Sequence, residues 1–472
     1  MVTSTTTVTS APDPSLFGQP VTFTATVQPE LAGGPVPTGT VDFSVDSVFV
    51  GTGSLDANGN AQYTTGDLAV GLHAVEATYL GDAEYDPSTG TDTQEVTFAR
   101  TTTTLSFDPE PSHCGEGTVF TAQVTPVPPA AGTPTGLVSF IVSDDGPVVT
   151  APVDENGQAQ TTVNGLAVGF HQSAAFYTGD DNFDASNSPL MLHVVEHAPV
   201  SVDVSVDPDP SVCGQTVTLC VAVSPVSSGV GLPSGSVTLT GPGGLDETLT
   251  LGSDGTACTT TTALTTGTIT VSYHGDGCYA SGTGTRDVTV GSAASEVSVT
   301  VDPDPSVCGE NVTVCATVTA VAPGSGTPTG SVTFTGPGVN ETLPLDADGT
   351  ACTTTTALTT GTITVDYDGD TCFTGSAASF DVTVGQAASE VSVSVNPDPS
   401  VCGETVTVCA TVTAVAPGTG TPTGSVTFTA PGGLNETVPL NPDGTACTTT
   451  TALTTGTVTA LYNGDSCFTT ST

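Results

Sequence analysis

Lysine and tryptophan are both absent from this 472-residue chain, and arginine occurs only as Arg100 and Arg286. Without lysine there is no amine for Schiff-base chemistry and no Lys–Asn isopeptide crosslink. Against those two cations stand 48 acidic residues, a formal net charge of −46. So negative a surface repels phosphate backbones, which excludes nucleic acid as a partner, and it repels anionic membrane surfaces. Long apolar runs are missing too: none reaches a membrane span, so no direct membrane insertion is expected. No stretch carries the apolar period of a helix. The opening Met1-Val2-Thr3-Ser4-Thr5 lacks the basic and then apolar regions of a secretory leader. A secreted protein would therefore stand here in processed or partial form.

The chain is rich in residues of strands and turns. Gly (55) and Pro (35) punctuate it, and aromatics make up only 5%. Thr, Ser and Val fill most of the rest, and β-branched residues suit pleated, half-buried surfaces. The acidity favours solubility, divalent cations and a salty exterior that screens self-repulsion. The plain account of it is a long solvated rod rather than a specific ion site.

Internal repetition is the strongest signal. A Gly opens a strand of alternating apolar residues at Gly18, Gly115, Gly214, Gly309 and Gly403, at intervals of 97, 99, 95 and 94 residues. A Pro-Thr/Ser-Gly turn recurs at Pro37, Pro134, Pro233, Pro328 and Pro422. Tyr79, Tyr177, Tyr273, Tyr367 and Tyr462 each precede one residue and then Gly-Asp. The units run over 1–99, 100–196, 197–291, 292–385 and 386–472. About 95 residues with frequent turn signals suit a seven-stranded sandwich. In unit 5, Val406, Val408, Ala410 and Val412 point one way, and Thr405, Thr407, Cys409 and Thr411 the other. Unit 1 repeats this with Val21, Phe23, Ala25 and Val27.

Unit 1 carries Pro12-Asp13-Pro14-Ser15, Gly18-Gln19-Pro20-Val21, Pro37-Thr38-Gly39 and Tyr79-Leu80-Gly81-Asp82. On these motifs the chain resembles the bacterial Ig-like group-3 repeats of extracellular surface and fibre proteins, through all five units. The resemblance implies an all-β architecture of five tandem immunoglobulin-like Greek-key β-sandwiches in an elongated rod; comparison of unit 5 with unit 4 adds the expectation that the last lacks its final strand. The resemblance also implies a stalk, adhesin spacer or fibre module, although fold alone does not decide function. The chain departs from antibody domains in having no core Trp and in the places of its cysteines.

Of the 13 cysteines, units 3 to 5 hold four each, unit 2 holds only Cys114, and unit 1 holds none, with Phe17 in the matching place. No Cys-x-x-Cys pair suggests a metal, whereas the spacing suits disulfides and hence an exterior location. Four Cys allow three pairings within a unit. The Ig strand order makes the second strand (B) and the fifth (E) neighbours. That favours Cys220–Cys258, Cys315–Cys352 and Cys409–Cys447, each closing a loop of about 38 residues worth on the order of 4 kcal/mol. The remaining cysteines of a unit lie at opposite poles, too far apart for one bridge. The A–B turn of one unit, however, faces the F–G turn of the next. This gives Cys114–Cys278, Cys213–Cys372 and Cys308–Cys467 between units, and leaves Cys402 unpaired or pairing with a further domain or subunit. Scrambled or free thiols are the competing reading. Units 2 to 5 are expected to be stiff and the joint between units 1 and 2 looser.

Unit 4 ends on Phe380-Asp381-Val382-Thr383-Val384, and unit 5 stops short of its equivalent. Two explanations compete: a fragment of a longer array, or a strand donated by another subunit in a head-to-tail fibre.

No clustered acid, base or nucleophile points to catalysis, and no cofactor is implied. The six His are scattered; His193 and His197 offer at best a weak metal pair, and solvent-exposed spacers are the plainer account. Asp366-Tyr367-Asp368-Gly369-Asp370 echoes a calcium loop without its distal Glu, so a solvated turn is expected. Asn311, Asn340 and Asn435 begin glycosylation sequons. The function expected is an extracellular or cell-surface structural stalk or filament, whose partner is a neighbour of its own kind. The alternative is an adhesin that binds a cell-surface glycan or protein, with units 1 and 2 as the binding end.

Overall fold

The computed structural model describes residues 1–142, 148–227 and 231–472. Among them there is no helix, and the chain forms repeated sandwiches of two sheets. Unit 4 shows the pattern in full. Its strands are Ser295–Asp302 (A), Val312–Ala320 (B), Ser331–Gly336 (C), Val339–Pro344 (D), Thr350–Thr355 (E), Gly361–Gly369 (F) and Thr374–Val382 (G). Strands A, B and E form one antiparallel sheet, and D, C, F and G the other.

Alternation sets the layers. Val312, Val314, Ala316 and Val318 on B turn inward with Val332 and Phe334 on C and Ile363, Val365 and Tyr367 on F, and all are buried. Their neighbours Thr313, Cys315, Thr317 and Thr319 stand on the other face of B, as a period of two requires. With no Trp available, Tyr and Phe supply the bulk: Tyr367 and Phe373 fill one end of the core. Between C and D the chain reverses over Pro337-Gly338, where Gly338 has φ +86°. A Cβ there would come 2.1 Å from the Ala357 carbonyl oxygen, so glycine is required.

Unit 5 has strands Ser389–Asn396 (A), Val406–Ala414 (B), Ser425–Ala430 (C), Leu434–Pro439 (D), Thr445–Thr450 (E) and Thr459–Tyr462 (F). Its second sheet holds only D, C and F. Where unit 4 places strand G over its core, unit 5 leaves a groove of about 750 Å³ lined by Val393, Val395, Val401, Leu453 and Val458.

Consecutive cores are separate clusters of buried residues, one per unit. Links between them are short. Strand G of unit 4 ends near Val384–Gly385, and strand A of unit 5 begins at Ser389. The geometry of that short crossing decides what the molecule can do.

Candidate functional site: the joints between repeats

Each joint is built from an A–B turn below and an F–G turn above. In unit 4, residues Ser306–Val307 leave strand A through two X-Pro bends and pair in parallel with Val384–Gly385. The Glu310 carboxylate accepts the Val307 N–H at 2.9 Å, and Cys308 N–H donates to the Gly385 carbonyl at 2.9 Å. This turn holds Cys308 at the end of the unit. Gly309, at φ +74°, follows it; a Cβ there would come 2.2 Å from the Thr419 carbonyl oxygen of unit 5. Glycine is thus demanded by contact with the next unit as well as by backbone conformation.

The opposing F–G turn is knotted by one carboxylate. Asp465 accepts from Cys467 N–H and Phe468 N–H at 2.7 Å, and from Thr423 N–H and Oγ1–H at 2.8 and 2.6 Å. Burial pushes its carboxyl up, but the Thr423 hydroxyl and three backbone N–H groups outweigh it and hold the acid down at about 2. Asp276 and Asp370 sit in the same arrangement and are likewise held at about 2; Asp82 is held low chiefly by the Thr38 N–H. Burial pushes Tyr79, Tyr273 and Tyr367 beside these knots up to about 12. The echo of a calcium loop around Asp370 is therefore a self-satisfied turn whose acceptors are spent on protein N–H and O–H groups.

Between the two turns runs the linker. Ala387 is fully buried, its N–H donating to the Cys467 carbonyl and its carbonyl accepting from Thr469. Beside it Cys308 is bonded to Cys467, with Cα atoms 5.3 Å apart. Val307 and Cys308 pack on the core of unit 5, and the Thr419 hydroxyl donates to the Gly309 carbonyl. The joint between units 3 and 4 repeats every part: Cys213 bonded to Cys372, Val212 on the next core, and the Ser325 hydroxyl donating to the Gly214 carbonyl. Between units 2 and 3, Cys114 is bonded to Cys278.

The joint between units 1 and 2 has no disulfide but is not vacant. Phe17, in the cysteine's place, packs edge-on to Phe183 with ring centroids 5.2 Å apart, and Leu16 joins it on the core of unit 2. An aromatic contact holds this joint without closing it covalently.

The other six paired cysteines lie within units. Cys220 faces Cys258, Cys315 faces Cys352 and Cys409 faces Cys447 in the B–E register, and each pair is bonded. Cys402 is free and exposed. Asn311, Asn340 and Asn435 are all exposed, the last two on D strands.

Histidine needs a correction. His193 is not a solvent-exposed spacer: it is fully buried, and His197 is exposed and takes no part in its contacts. Its Nδ1 meets the Glu110 carboxylate, and its Nε2 lies 2.8 Å from Ser112 Oγ and 3.2 Å from Thr118 Oγ1. Ser, His and Glu stand in the order of a hydrolytic relay, but Ser112 is only 1% exposed and the Phe107 and Phe120 rings pack on the imidazole. With Ser112 and His193 both buried, the cluster latches the A–B turn of unit 2 to its last strand, Met191–Glu196. Units 3 and 4 carry Val288 and Val382 in this place, and unit 1 carries Gln94, which donates to the Pro12 carbonyl and Ser15 Oγ. A polar residue among valines in the repeat alignment was the available signal. Among the described residues no group of three or more His, Cys, Asp or Glu could hold a metal.

A family model described as bacterial Ig-like domain (group 3) matches five segments, 8–98, 105–195, 204–291, 299–385 and 393–472. No curated protein matches the chain. Among solved structures, a tetra-tandem repeat from the extending region of a large adhesion protein is 21% identical, covering 81% of this chain and 99% of its own, with TM-score 0.31. The Escherichia coli adhesin FdeC is 17% identical over 60% of this chain and 96% of its own, with TM-score 0.23. Sidekick-1 immunoglobulin domains 1–5 are 12% identical over 96% and 98%, with TM-score 0.22. Scores this low carry nothing beyond the likeness itself.

Proposed function

We propose, from the premise that the chain belongs to the bacterial Ig-like domain (group 3) family through all five of its repeats, that it is an extracellular stalk or filament module stiffened by disulfides. Its role on this reading is mechanical rather than catalytic. One observation carries the proposal: at three successive joints a disulfide runs beside the backbone linker. A single linker lets two sandwiches swing, because interfaces between tandem domains are small. Two covalent paths a few ångströms apart remove most of that freedom. Disulfides of this kind persist where reducing agents do not reach, which supports the exterior of a cell.

The test is shape. Five units stacked end to end span roughly 200 Å, from strands of eight or nine residues at about 3.3 Å each plus turns. Negative-stain images of the oxidised chain should show straight rods of about that length, bending chiefly between the first and second units. The paired change Cys213→Ser with Cys372→Ser should add a second bend between units 3 and 4. Equal bending at every joint of the unaltered chain would sink the proposal.

A second reading, binding at units 1 and 2, is favoured by one observation. Among the described residues, every exposed aromatic of the large hydrophobic class is there: Phe49, Phe98, Phe170 and Phe176. On unit 2, Phe170 (69% exposed), Phe176, Ile141 and Leu192 stand on the outer face of one sheet. Unit 3 offers Thr238, Thr240, Thr270 and Ser272 on the corresponding face. An apolar sheet face on so acidic a chain suits adhesion. A glycan array probed with the full chain, wild type against Phe170→Ser, separates the readings: loss of a specific signal supports adhesion, and no signal from either supports the stalk alone.

A further inference from the structure

The A–B turn of unit 5 repeats the turn that unit 4 presents to its neighbour, except that, among the described residues, no strand pairs with it as Val384–Gly385 pairs with Ser306–Val307. Val401 N–H donates to the Glu404 carboxylate at 2.9 Å, and Glu404 N–H returns to the Val401 carbonyl, as Val307 and Glu310 do one unit earlier. Gly403 has φ +80°, beside +74° at Gly309 and +73° at Gly214. What differs is cover. Cβ atoms at Gly214 and Gly309 would run into the next unit, whereas one at Gly403 would meet nothing within 4 Å. Val307 packs on a foreign core; Val401 is 74% exposed. Cys308 is bonded; Cys402 is exposed and free. The same residues thus engage a neighbour at the two preceding joints and lie bare here in a preformed turn.

We infer that this pole of unit 5 is a docking surface for an Ig-like module of a defined type, and that the chain's own first unit is not that module. The type is set by what the occupied joints use. Cys372 and Cys467 both lie two residues after the F–G aspartate and directly before an aromatic, and Ser325 and Thr419 supply the hydroxyl that bonds the glycine carbonyl. Unit 1 has Glu84 where the cysteine must be: its N–H donates to Asp82 as Cys278 N–H donates to Asp276. In the repeat alignment it has Gly34 where the hydroxyl residue belongs. Unit 1 therefore offers neither sulfur nor hydroxyl and cannot close this joint covalently. The partner is a module with Asp-x-Cys-aromatic in its F–G turn; Ser or Thr in its B–C loop adds a hydrogen bond at two of the three closed joints, and unit 3, which closes with Cys114, has Val230 at that place in its sequence.

Closure at such a joint needs an oxidant, and a small-molecule disulfide suffices. The Cys402 thiolate attacks one sulfur of glutathione disulfide and releases one glutathione thiolate. The partner's thiolate then displaces the second glutathione, so that one disulfide forms in the protein and one is reduced in solution.

The inference deepens the stalk reading and rests on it for the direction of stacking only. Its test asks whether one thiol converts unit 1 into an acceptor. The five-repeat chain, wild type or Glu84→Cys, is incubated with a glutathione redox couple in 1 M salt, where the screening length is about 3 Å and repulsion between acidic rods is weak. The substituted chain should form a covalent ladder of three or more copies, lost on reduction and lost when Cys402→Ser is added. Wild type should stop at monomers and slow Cys402-to-Cys402 dimers. Asp67→Cys, which puts a thiol in the loop before strand F, controls for chance collision, and its oligomers should form on the order of tenfold more slowly. The idea falls if the two variants ladder at the same rate. It falls if Glu84→Cys melts like wild type yet makes no ladder, or if wild type polymerises end to end without a disulfide. Rod length measured on the single chain stands apart from all these outcomes, so failure here is distinguishable from failure of the stalk.

Discussion

Asp276 shows how much of a joint can hang on one side chain. Its carboxylate accepts from the Ser234 N–H and Oγ–H on the B–C side and from the Cys278 and Tyr279 N–H of its own turn, which fixes the very residue that carries the disulfide to unit 2. Because these bonds favour the ionised form, the acid titrates near 2 in the folded unit against about 3.9 in an unfolded chain. A depressed value stabilises the fold above the unfolded value, and the gain is lost as pH falls toward the folded one. Asp276→Asn should therefore melt lower than wild type at pH 6, by on the order of 1–2 kcal/mol given the partly exposed site. The gap should be full above pH about 4 and nearly closed by pH about 2. Calorimetry of both chains across that range checks it; a gap that does not depend on pH would mean the carboxylate's charge is not what matters.

At the level of strands and turns, legibility depended on period and repetition. The inward set Val406, Val408, Ala410 and Val412 is buried, and such alternation is written directly in the sequence. The same alternation makes the opposition of Cys409 and Cys447 a matter of register, and the structure pairs those residues across B and E. The pairing of poles was readable because the cysteines of units 2 to 5 recur at fixed offsets from the turn glycines. Contacts without a repeated signature were not readable. Nothing in Phe17 says that it meets Phe183, and nothing in His193 says that its ring is walled in by Phe107 and Phe120. The first of these yields a prediction. Asn182 stands in the F–G turn of unit 2 where Cys278 stands in unit 3, its N–H bonded to Asp180 as Cys278 N–H is bonded to Asp276. Phe17→Cys with Asn182→Cys should then close spontaneously into a disulfide, visible as a mobility shift on non-reducing gels and as a one-bridge gain by mass. Failure of the two thiols to join in a chain that otherwise melts normally would show that the first joint stacks differently from the rest.

At the scale of the whole chain, charge and covalent closure act on the same freedom. A net charge of −46 on five units stacked, as proposed, over roughly 200 Å repels itself along its length, and the range of that repulsion is about 30 Å at 0.01 M salt and about 3 Å at 1 M. At low salt the repulsion straightens any joint that can move; at high salt it does not. A joint closed by a disulfide has little left to straighten. The oxidised wild-type chain should thus keep nearly the same maximum dimension by small-angle X-ray scattering at both salt concentrations, with any small change arising at the joint of Phe17 and Phe183. The chain with Cys213→Ser and Cys372→Ser should be measurably shorter at 1 M than at 0.01 M. If wild type shortens as much as the variant, the joints owe their direction to repulsion, and the disulfides protect the units without orienting them.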